Sequence, residues 1–266
     1  MGNRFKEGDL VEVIDSKDRI FLLKLKKGEK SHFHFGILEH DSIIGKVNGS
    51  FVKSLKGDEV LVFKVRTPFY TVHMRRVSQI IYPKDVGAIV IHADIHPGLR
   101  VFTAGGGAGA LAISLLQMLH GRGKLIVYEI RSDFIDVFLA NVYDFFKEIP
   151  KNLIIRRKDI YAEPVEENDA PFDRVILDVP EPWRALKTVK DALVPGGILI
   201  SYSPTTQQIT EMKQALDDSK EFYNLGTFEI IERRWKVEAL STRPVDRMVA
   251  HTAFILVARK LSKKKP

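Results

Sequence analysis

The order of apolar and polar positions divides the chain near residue 66. Up to about Phe63, short apolar stretches (DLVEVID, RIFLLKL, HFHFGILEH, EVLVFKV) are punctuated by Gly28-Glu29, Asn48-Gly49 and Gly57-Asp58. Short runs rich in Val, Ile, Leu and Phe between turn-forming pairs predict β-strands. Their close spacing predicts a small β-barrel or β-sandwich over residues 1–66. Further along, apolar runs of strand length at 100–105, 124–129, 152–159, 174–180 and 197–204 alternate with helical patterns at 108–120, 132–147, 182–193 and 206–219. Strands apolar throughout, joined by helices, are buried on both faces and predict a parallel, doubly wound α/β sheet. The last two candidate strands, 227–236 and 252–258, have no helix between them and predict an antiparallel pair at the sheet edge. Residues 67–85 read as a linker, 86–260 as the α/β domain and 261–266 as a basic tail.

Composition then removes several chemistries. The chain has no cysteine, which excludes disulfides, thiolate metal sites and a cysteine nucleophile. No run approaches the roughly 20 apolar residues that span a bilayer, and the N-terminal stretch carries no apolar core of a secretory signal. The expectation is a cytoplasmic protein without membrane association. Lys and Arg number 41 against 34 Asp and Glu, a net charge of +7. That balance fits a polyanionic partner such as nucleic acid and equally a mildly basic soluble surface. His32 and His34 share a strand face, but no third ligand follows at a recognised spacing, so no metal site is expected.

The candidate chemistry begins at Thr103-Ala104-Gly105-Gly106-Gly107-Ala108-Gly109, which follows the strand RVF and opens a helix at Ala110 and Leu111. Such a turn lets a ligand approach the backbone beside a positive helix N-terminus. It serves NAD, FAD, S-adenosylmethionine or simply a tight bend. Glu129, followed by Ile130, ends the next strand, where a ribose-binding acid belongs. Asp159, followed by Ile160, ends the third, where an acid can bond an adenine amino group. Glycines and two strand-end acids together predict an adenosine-containing cofactor. Asp178, in Leu177-Asp178-Val179-Pro180-Glu181-Pro182-Trp183, ends the fourth strand. It reads either as a helix cap or as a carboxylate facing the reacting group, and its place at the carboxyl edge of the sheet favours the second.

Further segments fall in a telling order: His34-Phe35-Gly36 with His40-Asp41 and Ile44-Gly45-Lys46, then Met74-Arg75-Arg76 and Gln79-Ile80-Ile81-Tyr82-Pro83-Lys84-Asp85. The glycine loop, Tyr128-Glu129 and Leu177-Asp178 follow. Arg243-Pro244, Arg247-Met248-Val249 and His251-Thr252-Ala253-Phe254 come last. Along nearly its whole length the chain resembles the tRNA adenine-N1 methyltransferases. The resemblance implies a Rossmann-like class I methyltransferase sheet, S-adenosylmethionine as cofactor, and N1 of adenine 58 in the T loop of tRNA as acceptor, with adenine 57 often added in archaeal members. It also implies a homotetramer. Asp178 would be the catalytic carboxylate that orients the base through N6, and Gln79 would lie close to the cofactor. Tyr82 and Trp183 would border the substrate, against the simpler readings that Tyr82 packs in the hinge and Trp183 anchors its helix. One departure stands out. Where the family carries E-A-G-T-G-S-G, this chain has Thr103 for the acid and Gly106 and Ala108 for the hydroxyl residues. A non-catalytic tRNA-binding subunit is therefore the second reading, weighed against an intact Glu129 and Asp178. A methyltransferase for another substrate and a nucleotide-dependent dehydrogenase are the remaining alternatives.

Overall fold

A computed structural model describes residues 4–264. The chain divides into two compact units. One is formed by the chain up to Arg75 together with Ala140–Glu148, the other by Arg76–Leu139 together with the chain from Ile149 onward.

The first unit is the small β domain. It contains β1 (Leu10–Ile14), β2 (Ile20–Lys24), β3 (Lys30–Phe33), β4 (Gly36–Glu39), β5 (Ser50–Lys53) and β6 (Glu59–Lys64). Four strands form an antiparallel sheet in the order β2-β1-β6-β5, and β3 pairs with β4 as a separate hairpin. Sheet and hairpin enclose one core of Phe5, Val11, Val13, Leu25, Leu38 and Val62. The stretch HFHFGILEH, expected as one strand, is the turn of that hairpin. The chain reverses at His34-Phe35, and Gly36 takes φ +128°, where a Cβ would meet the Ser54 hydroxyl at 3.0 Å. Helix α1 (Thr67–His73) follows, with the Tyr70 hydroxyl donating to the Asn141 carbonyl at 2.9 Å.

The second unit runs α2 (Pro83–His92), β7 (Arg100–Ala104), α3 (Ala110–Leu119), β8 (Lys124–Glu129), α4 (Ser132–Phe146), β9 (Leu153–Arg157), β10 (Phe172–Leu177), α5 (Pro182–Val189), β11 (Leu193–Ser203), α6 (Thr206–Ser219), β12 (Phe222–Phe228), β13 (Trp235–Lys236), β14 (Arg243–Pro244) and β15 (Phe254–Lys260). Its seven-stranded sheet has the order β12-β15-β11-β10-β7-β8-β9. The five strands β7 to β11 are parallel, and β15 runs antiparallel to both neighbours. Phe102, Val175 and Leu199 stand level on three adjacent strands and meet Leu186 of α5 and Met212 of α6 in one core. Each such fully buried side chain contributes about 1.5–3 kcal/mol. The chain leaves β7 toward β8 and β9 on one side and returns to β10 and β11 on the other. The strand order therefore reverses between β7 and β10, where open α/β sheets bind ligands at their carboxyl edge.

Several boundaries differ from the sequence reading, and residues 67–85, read as a linker, carry α1 and the first residues of α2. The antiparallel edge pair is present, but its first strand is Phe222–Phe228 rather than 227–236. Phe222 anchors it in the core at 2% exposure, and a register shift at Asn224/Gly226 carries the irregular sequence through the pairing. The following stretch EIIERRWK instead runs into an exposed arm. Strand β11 also begins earlier, at Leu193, so α5 stops at Val189.

Candidate active site

A cavity of about 540 Å³ opens at the carboxyl ends of the parallel strands, within the second unit. The glycine loop forms its centre. Gly105 takes φ +87°, and a Cβ there would stand 2.0 Å from the Asp178 carbonyl oxygen, so only glycine lets the ends of β7 and β10 approach this closely. The Gly105 N–H donates to the Tyr128 carbonyl at 3.0 Å and the Asp178 N–H to the Ala104 carbonyl at 3.0 Å. The loop is thereby stitched to both neighbouring strands. Gly107 also lines the cavity.

On the β8–β9 side two acids border the space, each with backbone partners. Glu129 is 8% exposed; its Oε2 accepts the N–H groups of Gly106 (3.1 Å) and Gly107 (3.2 Å), and its Oε1 accepts the Arg131 N–H at 3.0 Å. Asp159 Oδ1 accepts the Tyr161 N–H at 2.9 Å. The loop amides thus already point at a carboxylate. A pyrophosphate would meet negative charge where a dinucleotide site offers free N–H groups, which argues against a dehydrogenase. The two basic side chains in the wall are engaged elsewhere. Arg131 pairs with Asp133 at 2.7 Å and lies 3.8 Å over the Phe134 ring, and Lys158 donates to Glu166 at 2.6 Å and the Pro164 carbonyl at 2.9 Å. The cavity favours a ligand that is neutral or positive.

On the β10–β11 side the acid is Asp178, and here no donor reaches the carboxylate among the described residues. The residue is partly buried and lines the cavity. Removal from bulk water, and then the negative charge of Glu129, push its carboxyl up to about 7. Val179, Pro180, Tyr202, Pro204 and Gln208 complete this end. Gln208 is fixed by the capping box of α6 with Thr205, and its Nε2 donates to the Pro180 carbonyl at 2.8 Å. Tyr202 is 6% exposed, and its hydroxyl donates to Asp85 at 3.2 Å.

Of the residues singled out from sequence, Gln79, Gly105, Gly107, Glu129, Ile130, Asp159, Ile160 and Asp178 line the cavity. Gly106 bonds to Glu129 without lining it. Ala108, Gly109, Ala110 and Leu111 are buried at the start of α3 behind the loop. Tyr82 is the half-buried N-cap of α2, and Trp183 packs against the sheet core from α5; neither lines the cavity. Sequence reasoning did not find Tyr202, Pro204 or Gln208. The available signal was the polar end of GILISYSP, one strand beyond Asp178 at the same sheet edge. Among the described residues no three His, Asp or Glu gather as a metal site, and no helix is long and apolar enough to cross a membrane.

Comparison with known proteins supplies independent findings. The family described as tRNA methyltransferase complex GCD14 subunit matches residues 60–254, and the TrmI-like N-terminal family matches residues 4–52. The tRNA (adenine(58)-N(1))-methyltransferase TrmI of Thermus thermophilus is 31% identical over 246 residues, covering 92% of this chain and 94% of its own. The crystal structure of a SAM-dependent O-methyltransferase from Thermotoga maritima superposes with a TM-score of 0.91 at 30% identity, covering 99% of this chain and 97% of that one. The tRNA (m1A58) methyltransferase TrmI from Aquifex aeolicus superposes with a TM-score of 0.84 at 29% identity, over 98% and 100% of the two chains.

Proposed function

Because the chain belongs to the tRNA methyltransferase complex GCD14 subunit family, we propose that it transfers a methyl group from S-adenosylmethionine to N1 of adenine 58 in tRNA. The observation that carries this reading is Asp178, an unpaired carboxylate at one end of a cavity whose other end holds two hydrogen-bonded strand-end acids.

The residues present fit S-adenosylmethionine. The volume of about 540 Å³ lies within the usual range of small-molecule sites. Glu129 and Asp159 keep lone pairs for ribose hydroxyls and an adenine amine, and Gly105 and Gly107 bring bare backbone to the cavity wall. The carboxylates around the cavity suit a sulfonium. When bound, the cofactor supplies an electrophilic methyl group. Gln79, Gly105, Gly107, Glu129, Ile130, Asp159 and Ile160 would hold it.

Adenine N1 carries a lone pair, so the protein removes no proton before attack, and its task is alignment. The target base leaves its stack to reach an enclosed site. Val179, Pro180, Tyr202 and Pro204 offer it a largely apolar wall. Asp178 accepts from the N6 amino group and stabilises the positive charge that grows on the purine as N1 is alkylated. A carboxyl near 7 is only partly ionised at neutral pH, and positive charge on a bound ligand draws it to the carboxylate form.

The test is incubation of the purified chain with labelled S-adenosylmethionine and unmodified tRNA, followed by nucleoside analysis and mapping. The expected product is 1-methyladenosine at position 58, and mapping decides whether position 57 is also modified. Saturable cofactor binding with tRNA left unmethylated would overturn the proposal. The second reading, a non-catalytic tRNA-binding subunit, draws on Thr103, which stands where the family carries an acid. Thr103 is 1% exposed, and its hydroxyl finds no partner among the described residues. Absence of cofactor binding would favour that reading.

A cytoplasmic location is part of the same proposal. A homotetramer is supported by the arm after β12, where Trp235, Val237 and Leu240 are 56%, 76% and 101% exposed. Large apolar side chains exposed together on one arm suit burial against another copy of the chain. Light scattering on the wild type and on Leu240→Ser tests this; a wild-type monomer contradicts it.

A further inference from the structure

The segment Tyr82-Pro83-Lys84-Asp85 holds two charges that take no part in the chemistry described above. The Lys84 side chain is 6% exposed and that of Asp85 is 0% exposed, and they pair at 2.7 Å. Burying two charges is costly unless they are paired and hydrogen-bonded, and here all three ammonium donors and both carboxylate oxygens have partners. The Lys84 ammonium also donates to the Ile230 carbonyl at 2.7 Å and to the Thr252 hydroxyl at 2.5 Å. The Thr252 hydroxyl in turn donates to Asp85 Oδ2 at 2.6 Å, and the Tyr202 hydroxyl donates to the same oxygen at 3.2 Å. Tyr202 and Asp178 line the same end of the cavity.

Ile230 and Thr252 are the two roots of the exposed arm that carries β13 and β14. One ammonium therefore ties both roots to the carboxylate that holds a cavity side chain. A second contact does the same from the adjacent residues. His251 Nδ1 lies 2.8 Å from the Glu229 carboxylate and its Nε2 lies 2.8 Å from the carbonyl of Pro204, another cavity residue. Both partners only accept, so the imidazolium form, in which both ring nitrogens donate, satisfies both contacts. The carbonyl and then the carboxylate raise its pKa.

We propose that Lys84 is a positioning residue for the acceptor end of the cavity, fixing Tyr202 beside Asp178 through Asp85 and Thr252 while pinning both roots of the arm. The inference rests on the tRNA methylation reading for its kinetic consequence and on geometry alone for its structural one.

The experiment uses the full chain. Thr252→Val removes the shared hydroxyl and leaves the ion pair. The KM for tRNA should rise about tenfold, the scale of one lost hydrogen bond to charged groups, while the Kd for S-adenosylmethionine stays within about twofold. Lys84→Met should act in the same direction and more strongly. Combined with Tyr202→Phe it should cost little more than alone, because both act through one hydroxyl. Additive effects, or a loss of thermal stability with kinetic constants unchanged, would overturn the proposal. If Lys84→Met does not fold, Thr252→Val and Tyr202→Phe carry the same cycle. The ring signals of Tyr202 in 13C-tyrosine-labelled protein give a readout independent of activity. Displacement in Thr252→Val is expected, and an unmoved ring would overturn the proposal whatever the tRNA result. A displaced ring in a chain that fails to methylate tRNA would leave the positioning role standing and sink the methylation reading.

Discussion

Glu129 and Asp178 flank the glycine loop from opposite sides, each one strand from β7, and differ in what surrounds the charge. Glu129 accepts three backbone N–H groups. Asp178 accepts none from the described residues and faces the same cavity. A carboxylate satisfied by the backbone holds its loop in place with or without ligand. A carboxylate left without donors retains its desolvation cost until something with donors or positive charge arrives. Buried polar groups are nearly always hydrogen-bonded, and the exceptions call for a role. On the proposed function, the β8–β9 end binds the cofactor and the β10–β11 end acts on the base.

The sharpest way to break that contrast is Asp178→Ala. Turnover should fall about 10²–10³-fold, the usual scale for removing one preorganised electrostatic contact, with the Kd for S-adenosylmethionine within about threefold. Methyl transfer and calorimetry measured side by side check it, and equal losses in both would erase the distinction. Glu129→Gln should give the opposite profile. Weakening the charge-assisted bonds to the loop should raise the cofactor Kd about tenfold, with most turnover recovered at saturating cofactor.

A smaller effect reads the stored cost directly. The folded pKa of Asp178 lies near 7, above its ordinary 3.8. The folded state therefore binds that proton more tightly than the unfolded chain. Its contribution to stability is greatest below about pH 4, falls as pH rises toward 7 and is level above. Asp178→Asn should stabilise the protein by about 1–2 kcal/mol at pH 8, less than the full linkage value because the carboxyl borders the cavity, and give no gain at pH 4. Urea unfolding at the two pH values decides it, and a loss of stability at pH 8 would contradict the account. The smallest change is expected for Thr103→Val. Its buried hydroxyl has no partner among the described residues, so an apolar replacement should be neutral or stabilising by less than about 1 kcal/mol. A clear destabilisation in the same unfolding experiment would mean that the hydroxyl is bonded.

What could be read from sequence was what lies in single segments. Apolar strands fix β7 to β11 as a buried parallel sheet, and chain order sends Glu129, Asp159 and Asp178 to its carboxyl edge. Local composition misplaced the edge strand. EIIERRWK, with Ile230, Ile231 and Trp235, leaves the sheet, while Phe222 to Phe228, interrupted by Asn224 and Gly226, is held by pairing with β15. Contacts between distant segments were out of reach. The Lys84–Thr252 bond spans 168 residues, and nothing near Glu129 reveals that it would take the amides of Gly106 and Gly107. Trp183, beside a distinctive motif, packs against the sheet core, and Tyr202, which no motif marked, lines the cavity.

The central claim is that Asp178 waits without a partner in the cavity until a positively charged ligand arrives. A 13C-carboxyl titration of Asp178, in the free protein and with S-adenosylmethionine, measures this directly. The account predicts a midpoint near 7 in the free protein that falls when the cofactor binds. A midpoint close to the ordinary carboxylate value, unmoved by the cofactor, would contradict it.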